Sequence, residues 1–493
     1  MGEEVRRTTY DRTHRQEYRR KVRLCLDVFE TMLAQSKFDS GRPLTGMEIE
    51  CNLVDANYQP AMSNRDVLDA IADPAYQKEL GAYNIEFNVP PRPLPGHTGL
   101  DLEAEVRASL NDAEARASSR AGPGAHIVMI GILPTLMPEH LSDNWMSEST
   151  RYAALNASIF NARGEDIPIN IDGPEPLSWR AASIAAESAC TSMQLHLQVA
   201  PDDFGANWNA AQVLAGPQLA LGANSPYFFG HQLWSETRIE LFMQSTDTRT
   251  EELKTQGVRP RVWFGERWIG SVLDLFKENI RYFPSLLPEV SDEDPVAELA
   301  AGRTPQLPEL RLHNGTVYRW NRPVYDVVDG RPHLRLENRV LPAGPTVIDM
   351  LANSAFYYGM LRSLSEEEVP LWDRMSFATA QDNFLAAARS GMDARLHWPG
   401  LGEVSPQELV LRTLLPIAHK GLRRWGVAAE VRDRFLGVIE GRAKTGRNGA
   451  SWQVSAVRAL ESRGMTRPAA LAEMLRRYCE HMHANEPVHT WQS

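Results

Sequence analysis

Over residues 13–36 the apolar positions Tyr18, Val22, Cys25, Val28, Phe29, Met32 and Leu33 recur at helical spacing among Arg, Lys and Glu. This predicts an amphipathic opening helix that packs on a sheet. Short alternating segments near 45–54, 83–89, 192–200, 316–320 and 333–340 predict strands, and longer stretches between them have helical character. The mixture predicts an α+β fold with a mainly antiparallel sheet. Asn314-Gly315, between Arg311-Leu312-His313 and Thr316-Val317-Tyr318, predicts a tight hairpin because both residues tolerate positive φ. The run 288–308, rich in Asp, Glu and Pro, reads as an exposed excursion. Beyond about Pro370 the pattern turns helical and stays so through His483, with Ser405-Pro406-Gln407-Glu408 as a capping box carrying Pro at the first helical position. The expected organisation is one domain over 1–365 and a helical C-terminal segment over 366–493 packed on it.

Side chains alternate across a strand with period two, so Met47-Glu48-Ile49-Glu50-Cys51-Asn52-Leu53 puts Glu48, Glu50 and Asn52 on one face and apolar groups on the other. Three more segments repeat this composition. One gathers Asn84, Glu86 and Asn88; a second gathers Gln194, His196 and Gln198; a third gathers His333, Arg335, Glu337 and Arg339. Any one of these could be the wet face of an antiparallel sheet. A solvated face usually draws on Thr, Ser and Lys, however, whereas these carry Glu, His, Gln, Asn and Arg and no Lys. Glu48 and Glu50, about 7 Å apart on one strand face, repel each other unless cations lie between them and a substrate. Mg²⁺ suits that position, since it prefers carboxylate oxygens, water and phosphates.

Composition narrows the partners. A net charge of -11 on 493 residues argues against a nucleic-acid partner, which calls for a basic face, and leaves small molecules as the default. Cys25, Cys51, Cys190 and Cys479 have no CxxC or framework spacing, which suits free thiols in a reducing compartment. The N-terminus, Met-Gly-Glu-Glu-Val-Arg-Arg, is charged where a signal peptide is apolar, and Arg6 stands where a myristoylation signal has Ser or Thr. The longest apolar run, 125–137, contains Gly131 and Pro134 and reads as a buried strand with its exit turn, so a cytoplasmic protein without a membrane partner is expected. Cys479-Glu480-His481-Met482-His483 lacks further ligands at closing distance and is read as a helix tail rather than a zinc site. Trp145, Trp179, Trp208, Trp234, Trp263 and Trp268 are read mainly as core anchors, with one or two available to floor an adenine pocket. Gly122-Pro123-Gly124 and 441–449 match no Walker or GxGxxG pattern, so a nucleotide would bind by another route.

Taken together the motifs resemble the glutamate-cysteine ligases, especially the bacterial and plant-type carboxylate-amine ligases with a glutamine-synthetase-like catalytic sheet. Gly46-Met47-Glu48-Ile49-Glu50 is similar to the family's G-x-E-x-E strand, and Tyr83-Asn84-Ile85-Glu86-Phe87-Asn88 to its second acidic strand, with Glu79 seven positions before Glu86. Cys190 to His196 resembles its third strand, with Gln194-Leu195-His196 where many bacterial members have His-x-His. Ala223-Asn224-Ser225-Pro226, Thr237-Arg238 and Leu336-Glu337-Asn338-Arg339-Val340 resemble its remaining segments, and the likeness spans roughly 40–365 in the family's order.

The resemblance implies a cupped antiparallel catalytic sheet with flanking helices, a catalytic role for 1–365, and an ATP-dependent ligase. In it Glu48, Glu79, Glu86, Glu50, His196 and Glu337 hold two or three Mg²⁺ ions, with Mn²⁺ as a possible substitute. Arg339 and Glu337 serve catalysis, Arg339 by stabilising the transferring phosphoryl group. Arg238 clamps the glutamate α-carboxylate, and Asn224, Gln194 and Arg335 complete the substrate contacts. The product of phosphorylation is γ-glutamyl phosphate, which an amine, foremost L-cysteine, converts to an amide. Two alternatives stay open: the same chemistry with another amine acceptor in a specialised pathway, and a catalytically silent binding or regulatory protein with this fold. The segment 136–180 matches nothing in the family and is a candidate lining for the amine pocket. Sequence leaves the oligomeric state open.

Overall fold

The computed structural model describes residues 4–41, 43–119 and 122–492. Met1, Gly2 and Glu3, the start of the charged N-terminus, lie outside the described residues. The opening helix runs Arg12–Ala34, and Asp11 and His14 cap it reciprocally at its N-terminus. Its apolar stripe is buried as the periodicity predicts, but it rests chiefly on other helices. Tyr18 donates to the Glu309 carbonyl at 2.7 Å, and the Phe29 ring lies 4.9 Å from Phe276. Through Tyr325, 5.6 Å from Phe29, it also reaches the sheet.

Seven strands form the main sheet: β1 (Thr45–Val54), β2 (Tyr76–Lys78), β3 (Asn84–Arg92), β4 (His126–Val128), β5 (Met193–Gln198), β6 (Asn321–Val328) and β7 (Arg331–Asn338). Their order is β6-β7-β5-β1-β3-β2, with β4 beside the end of β1, and every pairing is antiparallel. The sheet curls into an open half-barrel. The register decides which side chains meet. Glu48 stands opposite Asn88 on one flank and Gln194 on the other, and Glu50 stands opposite Glu86. His196 stands opposite Glu337, which in turn faces Arg322. Cross-strand partners share a face, so the four polar stripes merge on the concave side.

Two sequence expectations are corrected. Asn314-Gly315 is not a hairpin: Pro308 starts a helix, Pro308–Asn314, and Gly315 ends it with φ -67. Proline preorganises the first helical turn, and the Asn314 amide is taken up by the Pro323 carbonyl at 2.7 Å. The hairpin sits fifteen residues later at Asp329-Gly330, both at positive φ, as a tight β6–β7 turn needs. The strand β6 itself was missed, and the segment near 316–320 contributes only Tyr318–Arg319, paired in parallel with Val262–Trp263 outside the main sheet. The acidic excursion 288–308 contains a short helix, Pro295–Ala300, and is tied down where Lys21 donates to the Ser291 and Glu293 carbonyls.

Met47, Ile49, Cys51 and Leu53 fill the convex face of β1. The helix Val347–Leu364 lies against it, buried along nearly its whole length, and the Tyr358 hydroxyl donates to the Gly46 and His196 carbonyls at 3.3 and 3.0 Å. Past residue 366 the chain is helical apart from a short hairpin, Leu396–Trp398 with Gly402–Val404. The fully buried Arg442 of this region reaches Asp349 Oδ1 and Asn353 Oδ1, each at 2.7 Å. Deleting one partner of such a pair strands the other charge away from water, at about 3–5 kcal/mol. Asp349→Ala is therefore expected to lower the urea midpoint strongly, and an unchanged midpoint in circular dichroism would remove Arg442–Asp349 from the list of stabilising contacts.

Candidate active site

The concave face opens on a cavity of about 270 Å³. Seven carboxylates line it, Glu48, Glu50, Glu79, Glu86, Glu187, Asp326 and Glu337, against five guanidiniums, Arg151, Arg311, Arg322, Arg335 and Arg339. A smaller recess of about 70 Å³ continues from it and shares Glu50, Glu79, Leu80, Glu187 and Arg339. Behind that shared wall lie Cys190, Arg238, Phe242 and Trp320.

The carboxylates divide by their surroundings. Burial works to raise Glu48, but the His196 ring at 3.0 Å outweighs it and leaves the carboxyl lowered to about 2. Burial likewise opposes ionisation of Glu337, yet Arg322 at 2.9 Å and Arg339 at 2.7 Å hold it well below the ordinary carboxylate range. The other cluster is crowded with like charge. Burial raises Glu50 to about 6 against the pull of Arg339, with Glu86 repulsion adding to it. Burial followed by repulsion from Glu86 and Glu50 raises Glu79 well above its usual range, and burial with Glu48 repulsion raises Glu86. Such crowding is relieved by a cation. Among the described residues no three His, Cys, Asp or Glu side chains stand ready-gathered around a point for a metal. The donor set nevertheless fits Mg²⁺, a hard ion that takes a few carboxylates and completes its shell with water and phosphate oxygens.

Each expected site residue can now be placed. Glu48, Glu50, Glu79, Glu86, Gln194, Arg335, Glu337 and Arg339 all line the larger cavity. Gln194 donates to Glu50 Oε1 at 2.9 Å, and the Ser192 backbone N–H donates to Oε2 at 2.5 Å, so Glu50 is aimed by its own neighbours. His196 is 7% exposed and sits between Glu48 and Arg335, whose Nε donates to His196 Nδ1 at 3.2 Å. Asn52 and Asn84 close the end of the face: Asn84 donates to Asn52 Oδ1 at 3.0 Å, and Asn52 to the Ile130 carbonyl at 3.1 Å.

Two of the expected residues are engaged by the fold itself. Asn224 lines neither cavity; its amide donates to the Ala343 carbonyl and the Tyr478 hydroxyl, both at 2.8 Å, and its oxygen accepts from Gln453. It faces the C-terminal helices because the chain after the helix Phe204–Gly222 must be anchored there. Arg238 reaches the recess, but its guanidinium is held by Glu236 at 2.9 Å and by the Arg339 and Val340 carbonyls. It thereby braces the backbone that carries Arg339.

Glu187, Arg151, Arg322, Asp326 and Trp320 were missed. Arg322 and Asp326 belong to the unrecognised strand β6. Arg151, with Tyr152 and Leu155, comes from the helix Thr150–Arg163, inside the segment 136–180 set aside for the amine pocket. Glu187 had one available signal: it is the lone charge in Ala181-Ala182-Ser183-Ile184-Ala185-Ala186-Glu187-Ser188-Ala189. None of the six tryptophans considered for an adenine floor lines the larger cavity, whose aromatic wall is Tyr152, Phe276, Tyr318 and Tyr325.

A half-barrel antiparallel sheet with acidic and guanidinium side chains crowding its concave face defines an ATP-dependent ligase of the glutamate-cysteine ligase type. The chain belongs to glutamate-cysteine ligase family 2, whose model matches residues 44–481. Its fold is similar to that of a glutamate-cysteine ligase from Francisella tularensis, solved in complex with AMP, with a TM-score of 0.56 at 13% identity over 91% of each chain. It is also similar to a bifunctional glutathione synthetase from Pasteurella multocida, with a TM-score of 0.51 at 12% identity, covering 93% of this chain and 55% of that one. No curated protein matches the chain in sequence. Among the described residues no helix is long and apolar enough to cross a membrane.

Proposed function

We propose that this ligase phosphorylates the γ-carboxylate of L-glutamate with ATP and couples the acyl phosphate to an amine, foremost L-cysteine, to give γ-glutamylcysteine in the cytoplasm. The observation that carries this reading is the excess of carboxylates over guanidiniums in the cavity on the concave face. Two free anions would be repelled by such a wall; anions that bring divalent cations would not. Glu48, Glu50, Glu79, Glu86, His196 and Glu337 would hold the magnesium ions, whose chemistry is to neutralise the phosphates and the attacking carboxylate. Two or three ions fit the number of donors, and Mn²⁺ takes the same ligands.

The chain's own groups do the rest. Arg339, fixed at 2.7 Å from Glu337 and backed through its carbonyl by Arg238, presents a rigid guanidinium at the wall common to cavity and recess. That is where a phosphoryl group passing between two anions accumulates charge. Attack by the carboxylate oxygen on the γ-phosphorus expels ADP, and attack by the neutral amine on the acyl carbon expels phosphate. Burial of the recess keeps water from the acyl phosphate.

The test is direct. Purified protein with MgATP and L-glutamate should release ADP in step with an added amine, measured across a panel that includes L-cysteine. ADP release indifferent to glutamate would refute the reading, and a preference for another amine would change the acceptor only.

A further inference from the structure

The two cavities share a carboxylate that the proposed chemistry leaves without a task. Glu187 lies in the short helix Ala185–Ser188, its Oε2 is shut off from solvent with no hydrogen-bond partner, and it lines both cavities. A buried carboxylate oxygen without a partner is costly unless a bound group completes it. Burial pushes its carboxyl up to about 8, partly offset by the Arg339 charge and increased by Glu50.

The nature of the missing partner follows from the walls. The recess beside Glu187 is built from Leu80, Cys190, Phe242 and Trp320 as well as polar groups. Glu50 and Glu79, which also line the recess, are the carboxylates assigned to the magnesium ions, and Mg²⁺ keeps several waters, for which a recess of about 70 Å³ walled by Leu80, Phe242 and Trp320 leaves little room. A primary ammonium does fit, since it carries its charge on an alkyl body and needs only a few acceptors. In the recess the guanidinium of Arg238 is engaged by Glu236 at 2.9 Å and that of Arg339 by Glu337 at 2.7 Å, Glu50 accepts from Gln194 and Ser192, and Glu79 accepts from the Leu80 N–H, so Glu187, with its Oε2 unpartnered, is the carboxylate left for an incoming cation.

Resting on the glutamate-activating reading above, we infer that Glu187 is a specificity-determining residue that holds the ammonium of an amino-acid substrate in the recess. That ammonium can belong to the donor glutamate or to the amine acceptor before it loses its proton. Recognition by a buried charged hydrogen bond makes the site reject the analogue lacking the nitrogen.

The experiment compares each substrate with its deaminated counterpart in wild type, Glu187→Gln and Glu187→Asp. For the donor the pair is L-glutamate and glutarate, read as kcat/KM; for the acceptor it is L-cysteine and 3-mercaptopropionate, read as binding constants. Glu187→Gln should collapse one of these ratios by at least about tenfold, and Glu187→Asp should retain part of it. The ratio that collapses names the substrate. A structural role would weaken both members of a pair alike and leave both ratios unchanged, which would overturn the inference. Wild-type protein without glutamate-dependent ADP release would instead overturn the reading it rests on.

Discussion

Arg339→Lys is expected to lower kcat by about 10³-fold while leaving the fold intact, because an arginine poised on a transferring phosphoryl group is worth about 10³–10⁵ in rate. The substitution keeps a positive charge, so a loss cannot be ascribed to simple neutralisation. It removes the planar fork, which here does two things at once. One nitrogen is committed to Glu337 at 2.7 Å, and the remaining donors face the wall common to both cavities. A lysine ammonium can satisfy Glu337 or reach the phosphoryl group, but its single nitrogen does not span both. Burial would normally discourage charging, yet the Glu337 and Glu50 carboxylates outweigh it and hold Arg339 protonated beyond the ordinary range for its type. Steady-state kinetics at saturating MgATP and glutamate decide the matter. A wild-type kcat in Arg339→Lys would place the charge-stabilising group elsewhere, with Arg322 or Arg151 the next guanidiniums on the same wall.

The polar stripes were legible in the sequence because alternation on a strand is a local property. Glu48 with Glu50, and Glu337 with Arg339, announce their common face within three residues, and the antiparallel register then brings the stripes together without further information. What was not legible depended on longer range. Strand β6 carries Pro323 and two adjacent valines at its end, a pattern that obscures period two, so Arg322 and Asp326 went unnoticed although they complete the wall. Asn314-Gly315 imitated a hairpin because the dipeptide tolerates positive φ, while Pro308 and the packing of Tyr18 against Glu309 imposed a helix instead. Arg151 and Glu187 enter from helices whose own periodicity says nothing about a site, and only the tertiary fold shows that they line the same cavity as Glu50, Glu79 and Arg339. Asn224 illustrates the converse error. A motif position can be occupied by the expected residue and still be spent on anchoring a neighbouring helix.

Glu337→Ala should abolish measurable turnover, with a loss of at least about 10⁴-fold, and for reasons separable by experiment. Glu337 is the hinge between the two halves of the site. It is opposite His196 in the sheet, bonded to Arg322 at 2.9 Å and to Arg339 at 2.7 Å, and itself a proposed magnesium ligand. Removing it frees Arg339 to move, which forfeits roughly the 10³-fold attributed to that arginine, and removing a group that orients a metal site adds about 10–100-fold. It also leaves guanidinium charge in the wall without its partner, a cost of about 3–5 kcal/mol. The stability loss and the metal loss respond differently to added salt of magnesium. If Glu337 served only to neutralise Arg322 and Arg339, Glu337→Gln and Glu337→Ala would lower Tm, but MgATP would still raise Tm in both variants as much as in wild type. With Glu337 among the magnesium ligands, the MgATP-dependent rise in Tm shrinks in both variants, and raising Mg²⁺ does not restore kcat. Thermal melts with and without MgATP therefore distinguish a carboxylate that merely orders two arginines from one that also holds the ions between them and the phosphates.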